Sequence, residues 1–375
     1  MFNIIDIGFL GLASAVAFTG FLINNFEKHV PAFIIKGFRY GSFAYQGSGG
    51  NFLQVIEIPK AYYRHFYSSS SVLITATLLY SILVYFYGYE VHNYVTIMLK
   101  LLLEQDTPAV SVLAAVAALA LITLQCVKRF YETHCLQVFA TSSKMNLSHY
   151  IAGLLHYVAV IVAIVGQAPL FCGDNNRDKI LWADTRTMIL LVPGIPVFLW
   201  AMYEQYQTNV IFANLRKDKK SGKVVTEEHK IPNGRLFERI SSPHRYCEII
   251  LYTVLLSIIP TKTFFCIFLW VLCNQVCIQH LWYHGDFSYT TNIQEVTIKT
   301  IILKKKTLKI IVHLKFFTYH LPTFNQYCDN IVSTISMFIF FLLFQIQTAI
   351  QAHEWYKKTF KTYPTNRYAI FHGIL

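Results

Sequence analysis

Glu248 enters the apolar run Cys247–Ile259 only three residues after Arg245 and four after His244. An ionisable group in or beside a hydrophobic span is costly and marks a functional site by default. Ser241-Ser-Pro reads as a helix start, with serine caps and proline in the first turn. His244 and Glu248 then fall one turn apart, next to Arg245, at a helix N-terminus that favours a bound anion. Glu248 can accept hydrogen bonds from an amide or a sugar hydroxyl. The plain alternative is an ion pair within the helix, worth about 0.2–0.5 kcal/mol at this spacing.

Three other clusters carry usable chemistry. In QYQTNVIFANLRK, steps of four and seven bring Gln205, Asn209 and Arg216 near one helix face. Amides and a guanidinium on one stripe suit a ligand rich in oxygen, such as phosphate and ribose; a solvated helix end is the alternative. The tail AHEWYKKTFKTYPTNRYAIFHGIL sets His353, Tyr356 and Lys357 on one helix turn, closes it at Tyr363-Pro and follows with Arg367. EIPKAYYRHFY, holding Glu57 and His65, is dense in aromatics and bases, as an interfacial belt also is.

The elements that must hold these residues are membrane helices. Of 375 residues, 54% are hydrophobic and 14% charged, against about 25% charged in soluble domains. The apolar runs are Ile4–Ile23, Ser71–Tyr87, Val110–Val127, Tyr150–Leu170, Met188–Met202, the pair Cys247–Ile259 and Phe264–Leu272 broken at Pro260, and Ile331–Ile350. A spanning helix needs about 20 residues, and the period-two alternation of a membrane barrel is absent. The fold class is therefore all-α, a polytopic bundle of about seven membrane helices with a cofactor pocket facing the cytosol. The first run has no basic flank before it and holds Asp6, so it reads as a retained span.

The net charge of +12 is uneven, with a dense Lys/Arg stretch from Arg216 to Arg245 and more in the tail. Positive loops face the cytosol, which puts the C-terminus there and the N-terminus in the lumen. A basic surface can meet nucleic acid, anionic lipid or a phosphorylated cofactor; no nucleic-acid module is visible. The eight cysteines form no CxxC pair and read as small apolar residues, so no metal site is expected. Asn146-Leu-Ser is a glycosylation sequon on the side read as cytosolic.

NLRK, the string HKIPNGRLFERISSPHRYCE, the closing HEWYKKTFKTYPTNRYAI, and also LQCVKRFYETHCLQVF and IPKAYYRHFY resemble the steroid 5α-reductase family, and within it the polyprenol reductase branch. The resemblance spans most of the chain. It implies a seven-helix bundle in the endoplasmic reticulum membrane, NADPH entering from the cytosol, and reduction of the α-isoprene double bond of a long-chain polyprenoid lipid on the route to dolichol and protein glycosylation. It implies cofactor contacts for Gln205, Asn209, Arg216, His244, Glu248, His353, Tyr356 and Arg367. Glu57 matches the carboxyl that holds the carbonyl end of steroid substrates. The tyrosine that the steroid branch pairs with it is matched by Arg129, which leaves Glu57, His65 and Tyr131 as proton-donor candidates. Membrane lipids are expected neighbours; nucleic acid and an obligate protein partner are not.

The chain divides into N-terminal helices on the substrate side, 1–203, and a C-terminal cofactor region, 204–375. The latter is interrupted by residues 276–345, longer than any ordinary interhelix loop. Val276 and Gln345 suit splice-site codons and a Phe/Leu-rich end suits a pyrimidine tract, so the block reads as retained intron sequence; a lineage-specific loop is the rival. Other functions consistent with the layout are a trans-2-enoyl-CoA reductase of the same superfamily, a membrane methyltransferase and a transporter. The last fits poorly, because no internal repeat is present.

Overall fold

The apolar runs become helices in a computed structural model of the chain, which describes residues 2–31, 34–35, 57–139, 143–173, 177–217, 231–281 and 364. The helices are α1 Ile4–Phe26, α2 Tyr63–Phe86, α3 Asn93–Leu103, α4 Val112–Tyr131, α5 Leu147–Val165, α6 Thr185–Asn214, α7 Pro243–Ile258 and α8 Lys262–Leu281. Among the described residues five of them, α1, α2, α4, α5 and α6, are long and apolar enough to cross a membrane. With 16 residues, α7 is shorter. It turns at Pro260, as expected, into α8, which continues past Gln275 to Leu281. Residues 282–363, with most of the 276–345 block and with His353 and Tyr356, lie outside the described residues, as does Arg367.

The all-α class holds, with one small exception. β1 (Glu57–Pro59) pairs antiparallel with β2 (Lys144–Asn146), in the register Glu57 to Asn146 and Pro59 to Lys144. This ladder ties the entry of α2 to the entry of α5. The sequon asparagine serves there as the α5 cap, its Oδ1 accepting from Ser148 N at 2.9 Å. The short helix α3 was not legible as an apolar run. Its Leu99 and Leu103 are buried against the end of α5, where a Cβ on Gly166 would lie 2.4 Å from Leu103 Cδ1.

Packing explains why the bundle holds together in lipid. Ala114, Ala115 and Ala118 of α4 are fully buried, so neighbouring backbones come close where large side chains would hold them apart. Val72 and Leu79 of α2 and Ile189 and Val192 of α6 face outward instead. Such an apolar exterior is costly in water and normal against acyl chains. Just before α1, buried Asn3 donates to Thr263 Oγ1 at 2.9 Å, and Asp6 of α1 pairs with Lys262 at 3.0 Å. The carboxylate that argued against a cleaved leader thus ties the first helix to α8.

At the end of the bundle away from the ladder, Asp184 caps α6. It accepts from Thr187 N at 2.8 Å, and from Thr187 Oγ1 and Ser111 Oγ, both at 2.7 Å. Ser111 in turn caps α4. Burial acts to raise the Asp184 pKa, but the bonds from Thr187 and Ser111 and nearby Arg186 outweigh it and hold the group below its ordinary value. A depressed carboxylate stabilises fully above its unfolded pKa and loses that contribution as pH falls through the folded value. Asp184→Ala should therefore cost about 1 kcal/mol at neutral pH. Thermal melting of the two proteins against pH should show their gap closing in acid.

Candidate functional site

The ladder end of the bundle collects the C-terminal halves of α4 and α6 and the N-terminal turns of α2 and α7. α6 makes this possible by its length. Its 30 residues reach about 45 Å, well beyond a hydrocarbon layer of about 30 Å. The sequence reading of a helix continuing through Gln205 and Asn209 is what the structure has.

Gln205 and Glu248 meet, with the Gln205 amide donating to Glu248 Oε2. Gln205 Nε2 also reaches the His244 carbonyl at 3.2 Å. Gln125 of α4 donates to Gln205 Oε1 at 2.8 Å and to Glu248 Oε2 at 3.4 Å, and Lys128 also donates to Gln205 Oε1. The alternative reading, an ion pair within the helix, is not the arrangement among these side chains. Glu248 is held by two amides, and Arg245 donates to the Gln275 carbonyl of α8 at 2.9 Å.

A second layer lies one turn further along α4. Glu132 is fully buried and paired with Arg129, with Lys128 at 3.4 Å and with Asn209 Nδ2 at 3.0 Å. Gln137 then donates to Asn209 Oδ1 at 3.2 Å. The Arg129 guanidinium also lies over the Tyr67 ring, 4.7 Å from its centre. α4 passes here into a π turn, Glu132–Leu136, a local widening often found at functional sites.

The rim is basic. Arg216 donates to the Val138 carbonyl at 2.9 Å and Lys217 to the Leu136 carbonyl at 3.2 Å. Lys60 lies within electrostatic reach of both Arg216 and Arg245. Arg216 and Lys217 thus place two cations outside the amide–carboxylate cluster, an arrangement suited to phosphate.

Among the described residues, several buried atoms in this region have no partner: Gln125 Oε1, Arg129 Nε and His244 Nδ1. Unpaired buried polar groups are rare and call for an explanation. The amide acceptor of Gln125 and the imidazole nitrogen of His244 match a ligand that carries an amide. With the basic rim, the residues fit a nicotinamide dinucleotide.

Of the residues singled out from the sequence, Gln205, Asn209, His244 and Glu248 come together and Arg216 stands at the rim. Glu57 lies on β1, 3.9 Å from Lys144. His65 is exposed and bonded to Tyr150 Oη at 3.0 Å. Tyr131 is exposed at the end of α4. These three neither meet one another nor join the cluster. Gln125, Lys128, Glu132 and Tyr67 were missed. Their signal was present: Gln125, Lys128, Arg129 and Glu132 recur at helical spacing inside an apolar span.

The chain matches the family described as 3-oxo-5-alpha-steroid 4-dehydrogenase over residues 170–298 and 314–375, so the match passes over part of the 276–345 block. It is 33% identical to a Drosophila melanogaster protein named polyprenal reductase, across 76% of this chain and 89% of that relative. Proteins of the same name from Xenopus tropicalis and Caenorhabditis elegans are each 28% identical, covering 77% and 89% of their lengths. Family match, relatives, lipid-exposed helices and the amide–carboxylate cluster agree: this chain is an oxidoreductase of the steroid 5α-reductase family, in its polyprenol reductase branch.

Proposed function

We propose that the chain reduces the α-isoprene double bond of a long-chain polyprenal, with NADPH as the reductant. The aldehyde is preferred to the alcohol because conjugation lets negative charge move onto oxygen as the β-carbon is attacked. The name the relatives share, polyprenal reductase, supports that choice. The observation that carries the reading is the set of unpartnered buried atoms beside a basic rim, in a bundle whose outer face is apolar.

Gln205, Asn209, His244 and Glu248 would hold the nicotinamide half, and Arg216, with Lys60 and Arg245, the phosphates. His353, Tyr356 and Arg367 complete the cofactor site by their motif. When bound, the cofactor supplies a hydride. The protein orients it, excludes water, and stabilises charge developing on the substrate oxygen. Polyprenoid tail and membrane lipids share the apolar surface. In the cell the reaction serves dolichol synthesis for protein glycosylation in the endoplasmic reticulum membrane, with the N-terminus lumenal and the C-terminus cytosolic.

The test is turnover by the purified chain in lipid nanodiscs, with and without residues 276–345. NADPH oxidation should proceed with polyprenal and be slower with polyprenol, and the lipid product should gain two hydrogens. Oxidation that depends on trans-2-enoyl-CoA and ignores polyprenal would replace this reading with the acyl-chain one. Equal activity of the full-length chain, from a message that always includes the block, would make residues 276–345 a genuine loop.

A further inference from the structure

Tyr67 is a buried phenol beside the second layer of the candidate site. It is only 6% exposed. Its ring lies under the Arg129 guanidinium, and its hydroxyl meets the Tyr63 hydroxyl at 3.3 Å. Arg129 pairs with Glu132, which accepts from Asn209, so the ring contact ties Tyr67 to the buried polar layer. Tyr63, half-buried, stands one turn earlier on α2, toward the ladder end. The two hydroxyls form a short file leading from the interior outward.

Arg129 is fixed from two sides, by Glu132 and by the Tyr67 ring, while its Nε–H has no acceptor among the described residues. A preorganised, buried and unsatisfied cationic donor matches a developing oxyanion, because no reorganisation is needed when the charge appears. A hydroxyl with a second hydroxyl behind it matches a proton donor that can be recharged.

We propose that Arg129 and Tyr67 are the oxyanion donor and the proton donor of the reduction. The assignment rests on the polyprenal reading above. As hydride adds to the β-carbon, the carbon–carbon π electrons move onto the aldehyde oxygen, which accepts a hydrogen bond from Arg129 Nε–H. The resulting enolate re-forms its carbonyl while the α-carbon takes the Tyr67 proton. The O–H bond breaks, a C–H bond forms, and the tyrosinate recovers a proton from water through Tyr63. One hydride and one proton are consumed for each double bond, so the step balances.

The experiment is kinetics of full-length wild type, Tyr67→Phe and Tyr63→Phe in nanodiscs, with NADPH and polyprenal, alongside NADPH binding by fluorescence titration. Tyr67→Phe should lower kcat about 100-fold or more, with NADPH affinity unchanged; Tyr63→Phe should lower it less. Wild-type kcat in Tyr67→Phe, or a loss of NADPH affinity as large as the loss of turnover, overturns the assignment while leaving the polyprenal reading standing. A wild type that never reduces polyprenal removes both. Should Tyr67→Phe unfold, 3-fluorotyrosine at position 67 takes its place: its more acidic phenol should shift the basic limb of the kcat–pH profile to lower pH, and an unmoved limb overturns the proposal.

Discussion

Glu132→Ala should be the most damaging single change in the described part of the bundle, with an expected loss of about 3–5 kcal/mol. The carboxylate is wholly buried and answers Arg129, Lys128 and Asn209 together. Removing it leaves two cations in a low-dielectric interior without the carboxylate that pairs them. A typical domain has only about 5–15 kcal/mol of stability, so the variant should melt far earlier and be recovered in poor yield. Thermal melting in detergent or nanodiscs is the measurement. The double variant Glu132→Leu with Arg129→Met should recover much of the lost stability, because replacing a whole buried pair by apolar groups is often neutral or better. It should not recover turnover. A Glu132→Ala protein that melts with wild type would show that the carboxylate carries no such burden.

Glu248→Ala should act on cofactor affinity while the fold is kept. Glu248 is half-buried at the second turn of α7, and its Oε2 receives the Gln205 and Gln125 amides. Loss of the carboxylate releases both amides and removes a charged acceptor from the site. Hydrogen bonds to charged groups contribute about 1.5–3 kcal/mol, which corresponds to roughly a 10- to 100-fold weaker Kd for NADPH. Titration of the nicotinamide fluorescence checks this, with melting as the control. Unchanged affinity would take Glu248 out of the cofactor site.

Much of the bundle was readable because its driving pattern is crude. Long apolar runs with no alternation can only be membrane helices, and Pro260 and Ser241-Ser-Pro mark breaks in chemical terms. The structure follows both, with Pro243 at the first position of α7, although Ser242 makes no side-chain cap bond. α3 was missed because eleven residues with Lys100 among them make no long run. The β1–β2 ladder was missed because three residues a strand show no period.

The site was legible where a polar group interrupts an apolar run from one side, as Glu248 does. It was illegible where partners come from different helices. Nothing in the order of residues says that Gln125 will meet Gln205, eighty positions away. Tyr67 was hidden differently, in a stretch so rich in aromatics that one buried phenol beside exposed Tyr62 and half-buried Tyr63 leaves no mark. Only Arg129 lying over it distinguishes it.

The uninterrupted run of α6 past the membrane has a consequence for how this chain can vary. From Gln205 to Asn214 the helix is a rigid rod of nine steps, about 14 Å long. Adding or deleting one residue there would swing everything beyond it by about 100°. Arg216 would turn away from the cluster that Gln205 anchors. The rod is thus a gauge of fixed length, and tolerance for extra chain has to lie elsewhere, as residues 276–345 do.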